Sequence, residues 1–181
     1  MDQQPQTYQQ TYQAHYAQHF AIWSAYLGKH PRMLAFLRGA NKALTWVFYP
    51  AYGLLLIAIA CTSSHALLSL IFVPAAGFAF VSWHRRKHNA PRPAAACNLV
   101  PLIKREGEGE SFPSRHLFSA ATIATLWLCR LPLVAVLLWV CAIGLGACRV
   151  FGGVHFVRDV VAGALLGLIC GLISCALVML F

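Results

Sequence analysis

The segment Ala43–Cys61 reads ALTWVFYPAYGLLLIAIAC, an uncharged run about as long as a helix must be to cross a bilayer. Four further runs follow: about Ala66–Trp83, Pro113–Cys129, Leu131–Cys148 and Val160–Phe181, of which Pro113–Cys129 is short by apolar count because its start carries polar residues. Pro74 predicts a kink in the second run. All five runs are continuous, rich in Leu and Ala, and too long for strands. They predict an all-α, polytopic membrane helix bundle with five spans.

Composition also indicates a membrane protein. Hydrophobic residues make up 59% of the chain and charged residues 10%, against about 45–50% and about 25% in soluble domains. The net charge of +9 does not indicate a nucleic-acid partner, because the basic residues lie between apolar runs and form no continuous stripe. Membrane lipids with anionic headgroups are the partners that such charges favour.

The N-terminal part is less apolar. The segment Phe20–Leu37 is interrupted by cations such as Lys29 and Arg32, each of which costs about 2.5–3.5 kcal/mol at the centre of a bilayer. We therefore expect two short amphipathic pieces in the membrane interface, with a sixth crossing as the alternative. The predicted domains are a polar tail with this interfacial segment, residues 1–42, and a membrane domain, residues 43–181.

The seven cysteines are scattered, mostly inside apolar runs, and none forms a Cys-x-x-Cys pair. This spacing predicts neither a zinc site nor a disulfide framework. The cysteines are expected to behave as small buried hydrophobic residues.

Counting the crossings places three polar clusters on one membrane face. The clusters are Arg85–Pro93, Ser114–His116 and Arg149–Asp159. The same count puts every lysine and arginine on this face except Arg130. By the positive-inside rule, the face with the clusters is expected in the cytoplasm.

The first two clusters suit phosphate binding. The sequence Arg92-Pro93 fixes an extended backbone and so holds a forked guanidinium in a defined place. Ser114 and His116 follow Pro113 at the start of an apolar helix, where free backbone N–H groups bind phosphoryl oxygens. His116 is placed in that first turn to give or take a proton.

The third cluster has the pattern of a nucleophile with its supporting groups. His155 and Asp159 are four residues apart, which puts them on one face of a helix. A carboxylate on one imidazole nitrogen leaves the other nitrogen free to attack. Arg149 can stabilise charge on the electrophile. No Asp and His grouping predicts a metal, because the acidic residues of Glu106–Glu110 lie in a Gly-rich, solvated loop.

These clusters resemble the motifs of the type 2 phosphatidic acid phosphatase family, whose fold is shared with vanadium haloperoxidases. The family's first motif is Lys, six residues, then Arg-Pro; here Arg85 stands at the lysine position before Arg92-Pro93. Its second motif is Pro-Ser-Gly-His, matched by Pro113–His116, where Arg115 replaces the glycine. Both matches fall at the expected ends of the predicted spans.

The family's third motif is Ser-Arg, five residues, His, three residues, Asp. Here Cys148-Arg149 is followed by His155 and Asp159 at that spacing. The resemblance covers about Arg85 to Asp159, together with the spans that carry the motifs.

By this resemblance His155 is the nucleophile, Asp159 orients it, and His116 protonates the leaving group and then activates water. The resemblance also implies a set of phosphate ligands: Arg85, Arg92, Ser114, Arg115 and Arg149. It implies no metal and no cofactor.

Three departures from the family motifs affect these expectations. Arg85 changes a point donor into a planar fork, and Lys87 is an alternative for the lysine role. Arg115 puts a bulky cation beside the pocket, where contact with a second phosphate would favour diphosphate substrates. Cys148 removes a hydroxyl group near the site.

The expected function is hydrolysis of a lipid phosphate monoester or diphosphate through a phosphohistidine, in a bacterial cell membrane. Phosphatidate, phosphatidylglycerol phosphate and polyprenyl diphosphate are the candidate substrates. A non-catalytic protein that binds anionic lipid and a lipid phosphotransferase are the alternatives. Relatives that recycle polyprenyl diphosphate face outward, whereas the charge distribution of this chain favours a cytoplasmic site.

Overall fold

The computed structural model describes residues 3–61, 64–104, 107 and 109–180, and all regular structure in these ranges is helical. The helices are α1 (Gln3–Lys29), α2 (Pro31–Trp46), α3 (Phe48–Ala60), α4 (Ser64–His88), α5 (Pro93–Ala96), α6 (Arg115–Leu126), α7 (Pro132–Phe151) and α8 (Val157–Leu180). A 3₁₀ turn, Trp127–Cys129, extends α6. The predicted all-α class is confirmed.

Four described helical segments are long and apolar enough to cross a membrane, so the chain is a multi-pass membrane protein. They are Pro31–Ala60, Ala66–Ala96, Pro132–Phe151 and Val157–Leu180. Of the five predicted runs, the remaining one holds α6. This helix is shorter than the others, and most of its side chains are buried between its neighbours.

The N-terminal region differs from the two short pieces that the sequence predicted. The helix is interrupted at His30, as expected, but α1 is one long helix up to that point. From Pro31 the helix continues almost directly into α3, because Val47 N–H donates to the Ala43 carbonyl and Ala51 N–H to that of Val47. The candidate span therefore begins earlier than predicted. The domain division after residue 42, which falls inside α2, stays a prediction.

Helix α6 lies at the centre of the bundle and packs closely on α8. Gly163 and Gly167 face backbone carbonyls of α6 and its N-cap, and a Cβ atom at either glycine would collide with them. Small residues four apart allow such close helix contact. As a result the two helix starts meet, and Ser114 N–H donates to the Asp159 carbonyl at 2.9 Å.

A hydrogen bond and a disulfide join helices at the opposite end of the bundle. The Arg130 guanidinium donates to the Ala58 carbonyl at 3.0 Å, which joins the end of α3 to the turn after α6. A disulfide links Cys129 and Cys175. The expectation that the cysteines behave as small hydrophobic residues was therefore wrong for these two. They are 46 apart in sequence and become neighbours only when α6 packs on α8.

Candidate active site

His155 lies in a tight loop between α7 and α8 and is 1% exposed. Gly153 has a positive φ of 73°, which lets the chain turn. The backbone N–H groups of Val154 and His155 then donate to the Arg149 carbonyl at 3.0 and 3.3 Å. These bonds hold the imidazole beside the first turn of α8, where Asp159 is fully buried.

Ser111 stands between His155 and Asp159. Its hydroxyl donates to Asp159 Oδ2 at 2.5 Å and lies 3.4 Å from His155 Nδ1. The direct distance from His155 Nδ1 to Asp159 Oδ2 is 3.6 Å. Sequence reasoning missed Ser111, although the residue lies just before the Pro113–His116 motif.

The surroundings of His155 favour a neutral imidazole. Burial lowers the pKa of His155 from its ordinary value to about 4, and Arg92 and Arg149 act in the same direction against the opposing effect of Asp159. Loss of water disfavours the charged form of a base, and nearby cations add to this. At neutral pH the ring is therefore unprotonated, the form that a nucleophile requires.

Arg85 and Arg92 are buried and brace the loops around the site. Arg85 donates to the carbonyls of Ser111 and Pro113. The guanidinium of Arg92 donates to the carbonyls of Gly109 and Val154 at 2.9 and 3.2 Å, and its backbone is extended as predicted. These contacts tie the segment before α6 to the His155 loop.

The alternative residue for the motif lysine lies elsewhere. The ammonium of Lys87 is 5.1 Å from the centroid of the Trp83 ring, and both side chains are exposed. Arg85, by contrast, is 1% exposed. The structure therefore places Arg85, rather than Lys87, at the site.

Arg149 and Ser114 complete the buried polar group. Arg149 is 5% exposed, and its Nη2 lies 3.5 Å from Thr45 Oγ1. Ser114 Oγ is buried and has no hydrogen-bond partner among the residues that the structure describes. A buried hydroxyl without a partner is costly, and a phosphate oxygen is a group that would satisfy it.

Arg115 and His116 line a cavity of about 750 Å³ beside the buried group. The rest of the lining is mostly apolar and comes from α2, α3, α4, α6 and α7. Tyr49 and Phe78 line it while staying exposed on the bundle surface, so the cavity opens toward the membrane. Thr45, which contacts Arg149, also belongs to the lining.

The structure thus brings together most of the residues predicted for the site. Arg85, Arg92, Ser114, Arg149, His155 and Asp159 form the buried polar group. Arg115 and His116 lie next to it, at the polar end of the apolar cavity. Of the predicted acidic loop, Glu106 and Glu108 lie outside the described residues, and the Glu110 carbonyl accepts a bond from Arg92.

The chain is similar to a known protein family and to solved structures. The family model of the PAP2 superfamily matches residues 14–180. The crystal structure of Aquifex aeolicus LpxE is similar, with 31% sequence identity over 81% of this chain and 87% of that chain and a TM-score of 0.66. No curated protein sequence matches.

The chain is also similar to a second crystal structure, that of a transmembrane PAP2 type phosphatidylglycerolphosphate phosphatase from Bacillus subtilis. It shares 25% identity over 91% of this chain and 94% of that chain, with a TM-score of 0.40. The resemblance carried by the three sequence motifs is confirmed by the family match, which spans nearly all of the residues that the structure describes. The chain belongs to the PAP2 superfamily.

Proposed function

We propose that this protein is a membrane phosphatase that hydrolyses a lipid phosphate monoester or diphosphate through a phosphohistidine at His155. The observation that carries the proposal is the buried imidazole of His155, which lies near Arg92 and Arg149. Arg149 in turn contacts Thr45, which lines the apolar cavity together with His116. The buried arginines can bind the oxygens of a phosphate group, and the apolar cavity can hold the hydrocarbon chain of a lipid.

In the first step, the lone pair of His155 Nε2 attacks phosphorus. The bond from phosphorus to the leaving oxygen breaks, its electron pair stays on that oxygen, and His116 supplies the proton. Nδ1 faces Ser111 and Asp159, which leaves Nε2 as the attacking atom. Arg149 stabilises the charge that builds on the phosphoryl oxygens, with Arg85 and Arg92 beside it, and Ser114 Oγ donates to them.

In the second step, water attacks the phosphohistidine. His116, now neutral, takes the proton of the water, the P–N bond breaks, and its electron pair returns to His155. Inorganic phosphate leaves, and both histidines regain their starting forms. The covalent intermediate divides one difficult displacement into two easier ones. The cations of the chain supply the charge stabilisation, so a chelator is expected to leave the rate unchanged.

We also propose that diphosphates are preferred substrates. Arg115 lines the cavity together with His116, the proposed leaving-group acid, rather than joining the buried cations. A cation on the leaving-group side favours a leaving group that is itself anionic. In a lipid diphosphate, the leaving group is a lipid monophosphate.

The test compares phosphatidate, phosphatidylglycerol phosphate and polyprenyl diphosphate, scored by phosphate release from detergent-solubilised protein. Arg115→Gly is expected to lower the kcat/KM of the diphosphate relative to the monoesters by about 10- to 100-fold, the value of one bond to a charged group. Arg86→Gly, which changes an exposed arginine on α4, should leave that ratio unchanged. An unchanged ratio for Arg115→Gly would contradict the substrate preference.

The two alternatives give different results in the same assay. A protein that only binds anionic lipid would release no phosphate from any substrate of the panel. A phosphotransferase would move label from the lipid to an acceptor other than water. Hydrolysis alone predicts labelled inorganic phosphate in amounts equal to the dephosphorylated lipid.

We further propose that the site faces the cytoplasm of a bacterial cell. The cations cluster at the site end, whereas Arg130 lies at the opposite end near the Cys129–Cys175 disulfide. An excess of cations at one end of a bundle marks the cytoplasmic side by the positive-inside rule. A cysteine-reactive, membrane-impermeant label should leave a cysteine placed at Arg86 unmodified in intact cells. Its modification there would place the site outside.

A further inference from the structure

Ser111 contacts both His155 and Asp159, and the proposed chemistry gives it no role of its own. Its side chain is 1% exposed, and it lies between two groups of the site that are as deeply buried. Its hydroxyl proton goes to Asp159 Oδ2 at 2.5 Å. Ser111 Oγ is also 3.4 Å from His155 Nδ1 and can accept a hydrogen bond from the N–H at that nitrogen.

The carboxylate does not reach the imidazole closely on its own. The distance from Asp159 Oδ2 to His155 Nδ1 is 3.6 Å, against 3.4 Å from Ser111 Oγ to the same nitrogen. Both distances are longer than a normal hydrogen bond between nitrogen and oxygen, and the serine contact is the shorter of the two. Asp159 Oδ2 also accepts the Phe156 N–H at 3.1 Å. The carboxylate is therefore held by the loop and by Ser111, and the polar atom nearest to Nδ1 among these contacts is the serine oxygen.

We propose that Ser111 is a positioning residue, which fixes the tautomer and the ring orientation of His155 by linking Nδ1–H to Asp159. The inference rests on the proposed role of His155 as nucleophile. A proton held on Nδ1 leaves the lone pair of Nε2 free for attack. Ser111 itself does not touch the substrate.

Ser114 differs from Ser111 in this respect. Ser114 Oγ has no hydrogen-bond partner among described residues, whereas Ser111 Oγ is already engaged on both sides. The two serines are therefore expected to have different roles. Ser114 is expected to act on substrate binding, and Ser111 on the rate of the chemical step.

The experiment measures kcat and KM for Ser111→Ala across pH, with one substrate throughout. We expect kcat to fall about 10- to 100-fold, as for loss of a hydrogen bond to a charged group, with KM unchanged. Without the serine donor, Asp159 acts more strongly on His155, against the effect of Arg92 and Arg149. The other partners of Asp159, Arg158 at 3.6 Å and the Phe156 N–H, are the same in both proteins. The acid limb of the profile should therefore move to higher pH, since an imidazole beside a carboxylate that has lost one hydrogen-bond donor protonates more easily.

Two control variants keep the outcomes separate. Ser174→Ala removes another fully buried hydroxyl, one that donates to the Cys170 carbonyl within α8, and should leave kcat unchanged. An inactive His155→Asn variant shows that the proposed function holds while Ser111 is under test. Unchanged kcat in Ser111→Ala, or a lower kcat with no movement of the acid limb, would overturn the positioning role.

If Ser111→Ala does not fold, two other variants, whose side chains fill the space of the serine, test the proposal. Ser111→Thr keeps a hydroxyl donor, whereas Ser111→Cys offers only a weak S–H donor. The proposal expects the threonine variant to be the more active of the two. Equal activity of both variants would overturn it.

Discussion

Replacing His155 with alanine is expected to reduce phosphate release by at least about 1000-fold, because loss of a catalytic nucleophile removes most of the rate enhancement. The buried cations beside it would still hold phosphate, so the variant should bind substrate without turning it over. The measurement is phosphate release from purified protein in detergent. Thermal unfolding in the same detergent checks that the variant is folded.

His15→Ala is the matched control for this change. His15 lies on α1 and is exposed, unlike His155, so its loss should change neither activity nor stability. Full activity of a folded His155→Ala protein would refute the proposed mechanism.

The second large effect is expected for His116→Ala. Loss of a general acid lowers the rate by about 100- to 10,000-fold, but only when the leaving group needs a proton. With a lipid phosphate monoester, whose leaving alkoxide needs a proton, the variant should therefore be nearly inactive. With an aryl phosphate, whose leaving group departs without help, the first step should continue.

This difference can be seen in a single experiment. Because His116 is also proposed to activate water, the second step should stall after the aryl group has left. We expect a burst of aryl alcohol equal to the amount of enzyme, followed by slow turnover. Equal losses with both kinds of substrate and no burst would show that His116 has another role.

The architecture could be predicted because its signals are local. Runs such as Ala43–Cys61 carry the span signal in their own composition, and the spacing of His155 and Asp159 is set by one turn of helix. Counting crossings was enough to bring distant clusters to one face. The structure agrees, since Ser114 N–H bonds to the Asp159 carbonyl.

What the sequence did not reveal depends on contacts between distant segments. Nothing in the sequence around Ser111 indicates its contact with Asp159, which forms because α6 packs on α8. The pairing of Cys129 with Cys175 comes from the same packing. Gly163 and Gly167 make that packing possible, but glycines in an apolar helix have no unique meaning in a sequence alone.

The N-terminal helices show a different limit. Lys29 and Arg32 predicted an interfacial segment through their insertion cost, and the break at His30 agrees with that. The backbone then continues through Val47 into α3. Charge alone therefore located the interruption but not the length of the helix that follows it.

The central claim is that phosphate becomes bonded to His155, and trapping that intermediate tests it most directly. Protein incubated with substrate labelled in its terminal phosphate is quenched in alkali, digested and analysed by mass spectrometry. We expect one phosphorylated peptide, with the phosphate on His155 and none in the His155→Ala protein. Phosphate on another residue, or turnover with no labelled peptide under conditions that stabilise phosphohistidine, would contradict it.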